Sequence, residues 1–257
     1  MLFLLSPAKS LDYDTPARLP SRGKPLFVAR SAELIRLLRE RSPAEISELM
    51  GISPALAELN AARYRAWRPR FTQRNSKPAI LAFNGDVYAG FDAATLCDDD
   101  LAWAHDHLVI LSGLYGVLRP LDALQPYRLE MGTRLANRHG RTLYDYWGDA
   151  IAGHLAERLA TDASPVVVNL ASQEYFKAAS RVALKARVVD CVFEDWNAGA
   201  YRVIGLYAKR ARGLMARHAV RERVATPGGL KTFTGERYAF AADASAGDRL
   251  VFRRRIG

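Results

Sequence analysis

Cysteine is nearly absent from this sequence: among 257 residues only Cys97 and Cys191 occur, too few and too far apart for a disulfide framework or a thiolate metal site. Histidine is scarce as well. Of His105, His107, His139, His154 and His218, only the first two are close in sequence. Even with Asp98 to Asp100 and Asp106 nearby they have no recognised ligand spacing, so neither a metal nor another cofactor is expected. No stretch approaches the roughly 18 to 20 consecutive apolar residues of a membrane helix. The apolar start Met1 to Leu5 is too short for a signal peptide and lacks its basic flank. A soluble, cytoplasmic protein with no membrane partner is the expectation. Acidic residues are in deficit, 27 against 37 basic, for a net charge of +10. Such an excess attracts polyanions, nucleic acid above all, although general solubility accounts for it equally well.

At 49% hydrophobic and 25% charged, the chain can bury one sizeable core, so a single domain over residues 1–257 is expected. Short apolar runs predict strands at Leu2–Leu5, Ala79–Phe83, Leu108–Leu111, Val166–Leu170, Val188–Phe193 and Tyr201–Tyr207. Helical periodicity marks Ser31–Arg41, Ala44–Trp67, Leu143–Leu159 and Ala208–Val224. The alternation reads as an α/β fold, a single mixed sheet with surrounding helices. The stretches Asp12–Pro25 and Ala241–Asp248 are expected to be mobile, and Arg253-Arg254-Arg255 to form an exposed tail adding non-specific attraction.

The predicted strands run into polar or small residues: Leu5 into Ser6-Pro7-Ala8-Lys9, Phe83 into Asn84-Gly85-Asp86, Leu111 into Ser112-Gly113, Leu170 into Ala171-Ser172-Gln173-Glu174, and Tyr207 into Ala208-Lys209-Arg210. In open α/β sheets that edge is where ligand sites are built. Polar loops occur at both edges of every such sheet, so the five together carry more weight than any one.

Three segments stand out. Ser42-Pro43-Ala44-Glu45 is a capping box, and Gly51 then Ser53-Pro54 divide two helices around a tight turn, Met50-Gly51-Ile52-Ser53. This pattern resembles a helix-hairpin-helix, whose turn offers backbone N–H groups to a phosphate; Arg63, Arg65, Arg68 and Arg70 extend its charge, and an αα-hairpin that merely packs is the bland alternative. The helix after Tyr207 carries Lys209, Arg210, Arg212, Arg217, Arg221 and Arg223 on its flanks, a stripe suited to a sugar-phosphate backbone or simply a solvated face. Gly213 inside it weakens the helix and marks close packing against another backbone. The stretch from Leu111 to Gly132 crowds Arg119, Asp122, Gln125, Tyr127, Arg128 and Glu130 into an irregular segment with two prolines, which demands either an internal polar network or a ligand.

Those motifs, with Gly85-Asp86-Val87-Tyr88, Leu114-Tyr115-Gly116-Val117-Leu118-Arg119-Pro120, Gln125-Pro126-Tyr127-Arg128-Leu129-Glu130-Met131-Gly132 and Arg212-Gly213-Leu214-Met215, resemble the YaaA family across essentially the whole chain. The resemblance implies a bacterial protein of the response to hydrogen peroxide that limits free iron and oxidative damage. It also implies a positively charged cleft, a helix-hairpin-helix at about 42–67, and binding to duplex or distorted DNA with little sequence specificity. The expected DNA contacts are Gly51, Ile52, Ser53, Arg63, Lys209, Arg210, Arg212 and Arg217, on a monomer. The expected cleft residues are Ser6, Lys9, Asp86, Tyr88, Ser112, Tyr115, Arg119, Tyr127, Arg128 and Glu130. The rival reading is an enzyme acting on a nucleic-acid base or nucleoside, with Lys9 and Asp86 as catalytic candidates and Tyr88, Tyr115 or Tyr127 stacking an extruded base.

Overall fold

The computed structural model describes residues 1–255. Its main sheet has eight strands: β1 (Leu2–Leu5), β2 (Leu108–Ser112), β3 (Gly116–Leu118), β4 (Val166–Leu170), β5 (Arg187–Asn197), β6 (Ala200–Arg202), β7 (Ala239–Phe240) and β8 (Arg249–Arg254). They lie in the order β7-β8-β5-β4-β1-β2-β3, with β6 folded back on β5. Strands β8, β5, β4, β1 and β2 are mutually parallel, and β3, β6 and β7 are antiparallel margins. Strands β1, β2 and β4 are buried at every position, as continuous apolar runs covered on both faces must be. β5 instead alternates, burying Val189, Cys191, Phe193 and Asp195.

The helices follow their sequence signals closely in some places and not in others. α1 (Val28–Arg39) is followed by α2 (Pro43–Met50) and α3 (Pro54–Ala66), joined through Gly51 at φ 60°, ψ 44°. Ser42 and Glu45 complete the capping box, so the expected αα-hairpin forms. α4 (Asp86–Phe91) and α5 (Asp98–His107) lead into β2. The predicted helix 143–159 is two pieces, α6 (Leu143–Trp147) and α7 (Ala150–Arg158), because Gly148 takes φ 49°, ψ −125°. α8 (Gln173–Ala179) follows β4, and α9 (Gly205–Arg221) packs on α4.

Four expectations fail. Ala79–Ala82 is a short helix, and only Phe83–Asn84 pairs, with Ser10–Leu11, away from the main sheet; a run of five apolar residues fits a buried helical turn as well as a strand. The predicted strand 201–207 stops at Arg202, and Tyr207 already lies in the first turn of α9. Two of the three arginines near the carboxyl end belong to β8, where Arg254 is 6% exposed and ion-paired to Asp195, and only Arg255 beyond the strand is exposed. The stretch 241–248 is an ordered turn between β7 and β8, held by Ala241 N to Val251 O at 2.9 Å and by Ser245 Oγ to Ala241 O at 2.7 Å.

The arrangement creates a crevice. Leu5 is level with both Ile110 and Leu170, so β1, β2 and β4 release their chains at one edge. The chain passes from β1 to β2 on one side and later to β4 on the other, and this reversal leaves the loops at that edge diverging around an opening.

Candidate functional site

A cleft of about 400 Å³ occupies that opening. Its walls are the Ser6–Ser10 segment leaving β1, the approach to and start of α4 from Asn84 to Tyr88, residues 127–130, Ser172 after β4 with Glu174 and Tyr175 of α8, and Lys209 and Arg212 from α9. The volume is in the range of small-ligand sites.

The ends of β1 and β4 are stitched together, since Ser6 Oγ accepts a hydrogen bond from Ser172 N at 2.8 Å. Tyr88 donates its hydroxyl to Ser6 O at 3.0 Å, which sets α4 against the same strand end. Tyr127 shares a 2.6 Å hydrogen bond with Ser112 Oγ, and that oxygen accepts Tyr115 N at 3.0 Å. Behind it Trp67 Nε1 donates to the Tyr115 hydroxyl at 2.9 Å, and Tyr64 donates to Arg128 O, so α3 of the hairpin buttresses the cleft wall. Burial raises the pKa of Tyr88, Tyr127 and Tyr175 well above the usual phenol value, keeping a neutral phenol floor at any ordinary pH.

The polar lining is of mixed sign. Lys9 Nζ lies 2.9 Å from Glu130 Oε2, and Arg128 Nη2 lies 3.0 Å from Glu130 Oε1. Burial alone would raise the Glu130 carboxyl, but the Lys9 and Arg128 hydrogen bonds outweigh it and hold the group below its ordinary value. Glu174 Oε1 accepts Gly132 N at 2.8 Å. Among the described residues, four charged groups of the lining have no ion pair: Asp86, Glu174, Lys209 and Arg212. Arg212 is held partly out of water, and that desolvation lowers its pKa with no carboxylate to offset it. Arg128 Nε is buried without a hydrogen-bond partner. Beside it stands Arg63 of α3, lowered by burial and further by the Arg128 charge, although the neighbouring tyrosines oppose this.

Of the ten residues expected in the cleft, Ser6, Lys9, Asp86, Tyr88, Tyr127, Arg128 and Glu130 line it. Ser112 and Tyr115 are fully buried behind Tyr127 and act as its support. Arg119 lies elsewhere: its Nε donates to His105 O at 2.9 Å and its guanidinium pairs with Asp106, beside the helix end that precedes β2. The long central motif therefore divides between a wall of the cleft and the opposite edge of the sheet.

The expected DNA contacts divide likewise. Lys209 and Arg212 face the cleft. Arg210 pairs with Glu236 at 2.6 Å, and Arg217 donates to the carbonyls of Phe91 and Asp92 at 2.9 and 2.8 Å. Gly51 and Ser53 are exposed at the hairpin turn and Ile52 is half-buried there; none of the three lines the cleft. Glu174 and Tyr175 join the site from the first turn of α8, where no spacing in the sequence distinguishes them from an ordinary amphipathic turn.

His105 and His107 do not converge on a common point, since Leu121 N donates to His105 Nδ1 while the His107 ring stacks on Trp103. Among the described residues no group of three or more His, Cys, Asp or Glu side chains is placed to hold a metal ion. Among the same residues no helix is long and apolar enough to cross a membrane.

The sequence model of the family described as peroxide stress protein YaaA matches residues 1–244. A UPF0246 protein of Paracidovorax citrulli is 64% identical over 258 aligned positions, covering 99% of each chain. One of Polaromonas naphthalenivorans is 64% identical over 257, covering all of both, and one of Bordetella petrii is 60% identical over 255, covering 99% of this chain and 100% of the relative. The chain that builds this cleft from its strand ends therefore belongs to the YaaA family of peroxide stress proteins.

Proposed function

We propose that this protein binds DNA during the response to hydrogen peroxide, with little sequence preference, and that the cleft holds a nucleotide whose phosphate lies against Lys209 and Arg212. The observation that carries the reading is the Arg212 guanidinium, desolvated, unpaired among the described residues, and facing a cavity of small-ligand size beside a second unpaired cation. A half-buried arginine without a carboxylate has lost part of its hydration and gains a charge-assisted contact when an anion meets it. Arg128 on the opposite wall, with Arg63 close behind it, adds positive potential, and the exposed turn at Gly51 to Ser53 offers a second, sequence-neutral backbone contact. Fluorescence anisotropy of a labelled duplex between low and moderate salt tests this. The logarithm of the affinity should fall linearly with the logarithm of salt, and the Lys209→Ala/Arg212→Ala variant should lose about 1 from the slope, roughly 0.9 for the phosphate the two side chains share. An unchanged slope in that variant would count against the assignment.

A second reading rests on Asp86, a cleft carboxylate without an ion pair among the described residues, carried at the start of α4 beside the phenol floor. There it serves as a general base toward a water attacking a base or nucleoside, with Lys9 and its Glu130 partner at the rim. Duplexes containing oxidised bases provide the test: turnover abolished by Asp86→Asn supports catalysis, and neither base release nor a trapped imine with any of them retires it.

A further inference from the structure

The cleft has a neighbour. A second hollow of about 270 Å³ follows the same sheet edge from β4 toward β5, with Asn169, Gln173, Asp190, Phe193 and Val203 in its lining. Arg212 lines both hollows. The saddle between them is made by alternate residues where β4 passes into α8, Ala171 and Gln173 lining the second hollow and Ser172 and Glu174 the first, and by one turn of α9, with Ala208 on one side and Lys209 on the other.

We infer that the two hollows are adjoining subsites for a dinucleotide step of a single strand, one nucleoside in each, with the linking phosphodiester on Arg212 at the saddle. This rests on the nucleotide-binding reading and makes it narrower. The first hollow is floored by Tyr127 and Tyr175, whereas the Phe193 ring beside the second is 1% exposed and packed among Phe233, Tyr238 and Phe252, so the second subsite holds its nucleoside through Gln173, Asp190 and Val203. The one desolvated cation shared by both lies where a two-part ligand carries its negative charge, and a phosphodiester supplies that charge between two largely uncharged halves. In the second hollow Asp190 Oδ1 accepts from Asn169 Nδ2 at 2.8 Å while Asn169 Oδ1 accepts from Ala171 N at 3.0 Å, leaving the other Asp190 carboxylate oxygen for a sugar hydroxyl or base amino donor. Two separate pockets divided by a saddle match unstacked bases and not a paired duplex, so the favoured partner is an extruded or single-stranded stretch.

Isothermal titration calorimetry with four probes decides the matter: d(TpT), its neutral methylphosphonate-linked counterpart, thymidine 5′-monophosphate and a long duplex. Wild-type protein should bind d(TpT) about tenfold more tightly than the methylphosphonate, and Arg212→Ala should erase that difference. Gln173→Glu/Val203→Glu changes two exposed positions of the second hollow and should weaken d(TpT) about tenfold while leaving the mononucleotide unaffected. Equal binding of d(TpT) by this variant and the wild type, with salt-dependent duplex binding intact, overturns the second subsite and leaves the DNA reading standing. Failure of the wild type to bind any of the four overturns both.

Discussion

At the level of single residues, the buried polar groups make the sharpest predictions. Arg254 Nε lies 2.6 Å from Asp195 Oδ1, Tyr238 donates to Asp195 Oδ2 at 2.7 Å, and the guanidinium packs over the Tyr238 ring at 4.4 Å. Asp195→Ala should cost about 3–5 kcal/mol in urea unfolding, because it leaves a buried guanidinium stripped of its main partner; a loss below about 1 kcal/mol would show that Glu236 or water compensates. A second pair acts through pH. Burial pushes Asp122 up to about 6 against the N–H of Arg119, and burial together with the Arg119 charge pushes His105 down to about 4. Asp122 therefore contributes stability below its unfolded value of 3.8 and loses it as pH rises to about 6. His105 contributes stability above 6.5 and loses it as pH falls to about 4. The two slopes oppose each other between pH 4 and 6. Asp122→Asn should uncover the histidine alone, so that the melting temperature falls more steeply than wild type on acidification through that window; parallel pH profiles would refute the assignment.

At the level of elements, the packing of α9 on α4 fixes one wall of the cleft. A β-carbon on Gly213 would stand 1.8 Å from Val87 O, and one on Gly90 would stand 2.2 Å from Arg210 O, so each helix presents a glycine to the other's backbone. Gly213→Ala should destabilise by about 1–3 kcal/mol despite alanine's better helix propensity, since the helices must separate. Because α4 carries Asp86 and Tyr88, the same change should also weaken ligand binding. Gly153 in α7 has open space around its Cβ position, and Gly153→Ala should stabilise by up to about 1 kcal/mol. Thermal unfolding of the two variants should give shifts of opposite sign. The close approach at Gly213 is readable in the sequence, because a glycine inside a helix of good helix formers needs a packing reason. Its partner is not, because Gly90 lies more than a hundred residues away in a helix of six. The capping box at Ser42 and the turn at Gly51 are likewise readable, being local chemistry. The fate of Ala79–Phe83 is not, because an apolar run records burial and leaves helix or strand to its neighbours.

Across the whole molecule, the question is which of the 37 basic side chains remain available to an anion. Arg210, Arg217, Arg253 and Arg254 are engaged by carboxylates or carbonyl oxygens. Arg217→Ala should therefore lower stability, by about 1–3 kcal/mol, while leaving the salt dependence of DNA binding unchanged, in contrast to Lys209→Ala/Arg212→Ala. Chemical denaturation and an anisotropy salt series on the same preparation separate the two effects; a slope lowered by Arg217→Ala would place that residue on the backbone of the ligand instead. The sequence by itself determined the α/β alternation, the hairpin, three of the five polar strand ends and membership of the family, because these follow from local periodicity, capping chemistry and motif order. Tertiary structure alone decided that β1 lies between β2 and β4, so that Ser6, Tyr127, Ser172 and Arg212 share one cleft while Arg119 is carried to the far edge. The pairing of parallel strands is a long-range choice made by burying apolar faces together. No local signal says which charges that burial leaves without a partner.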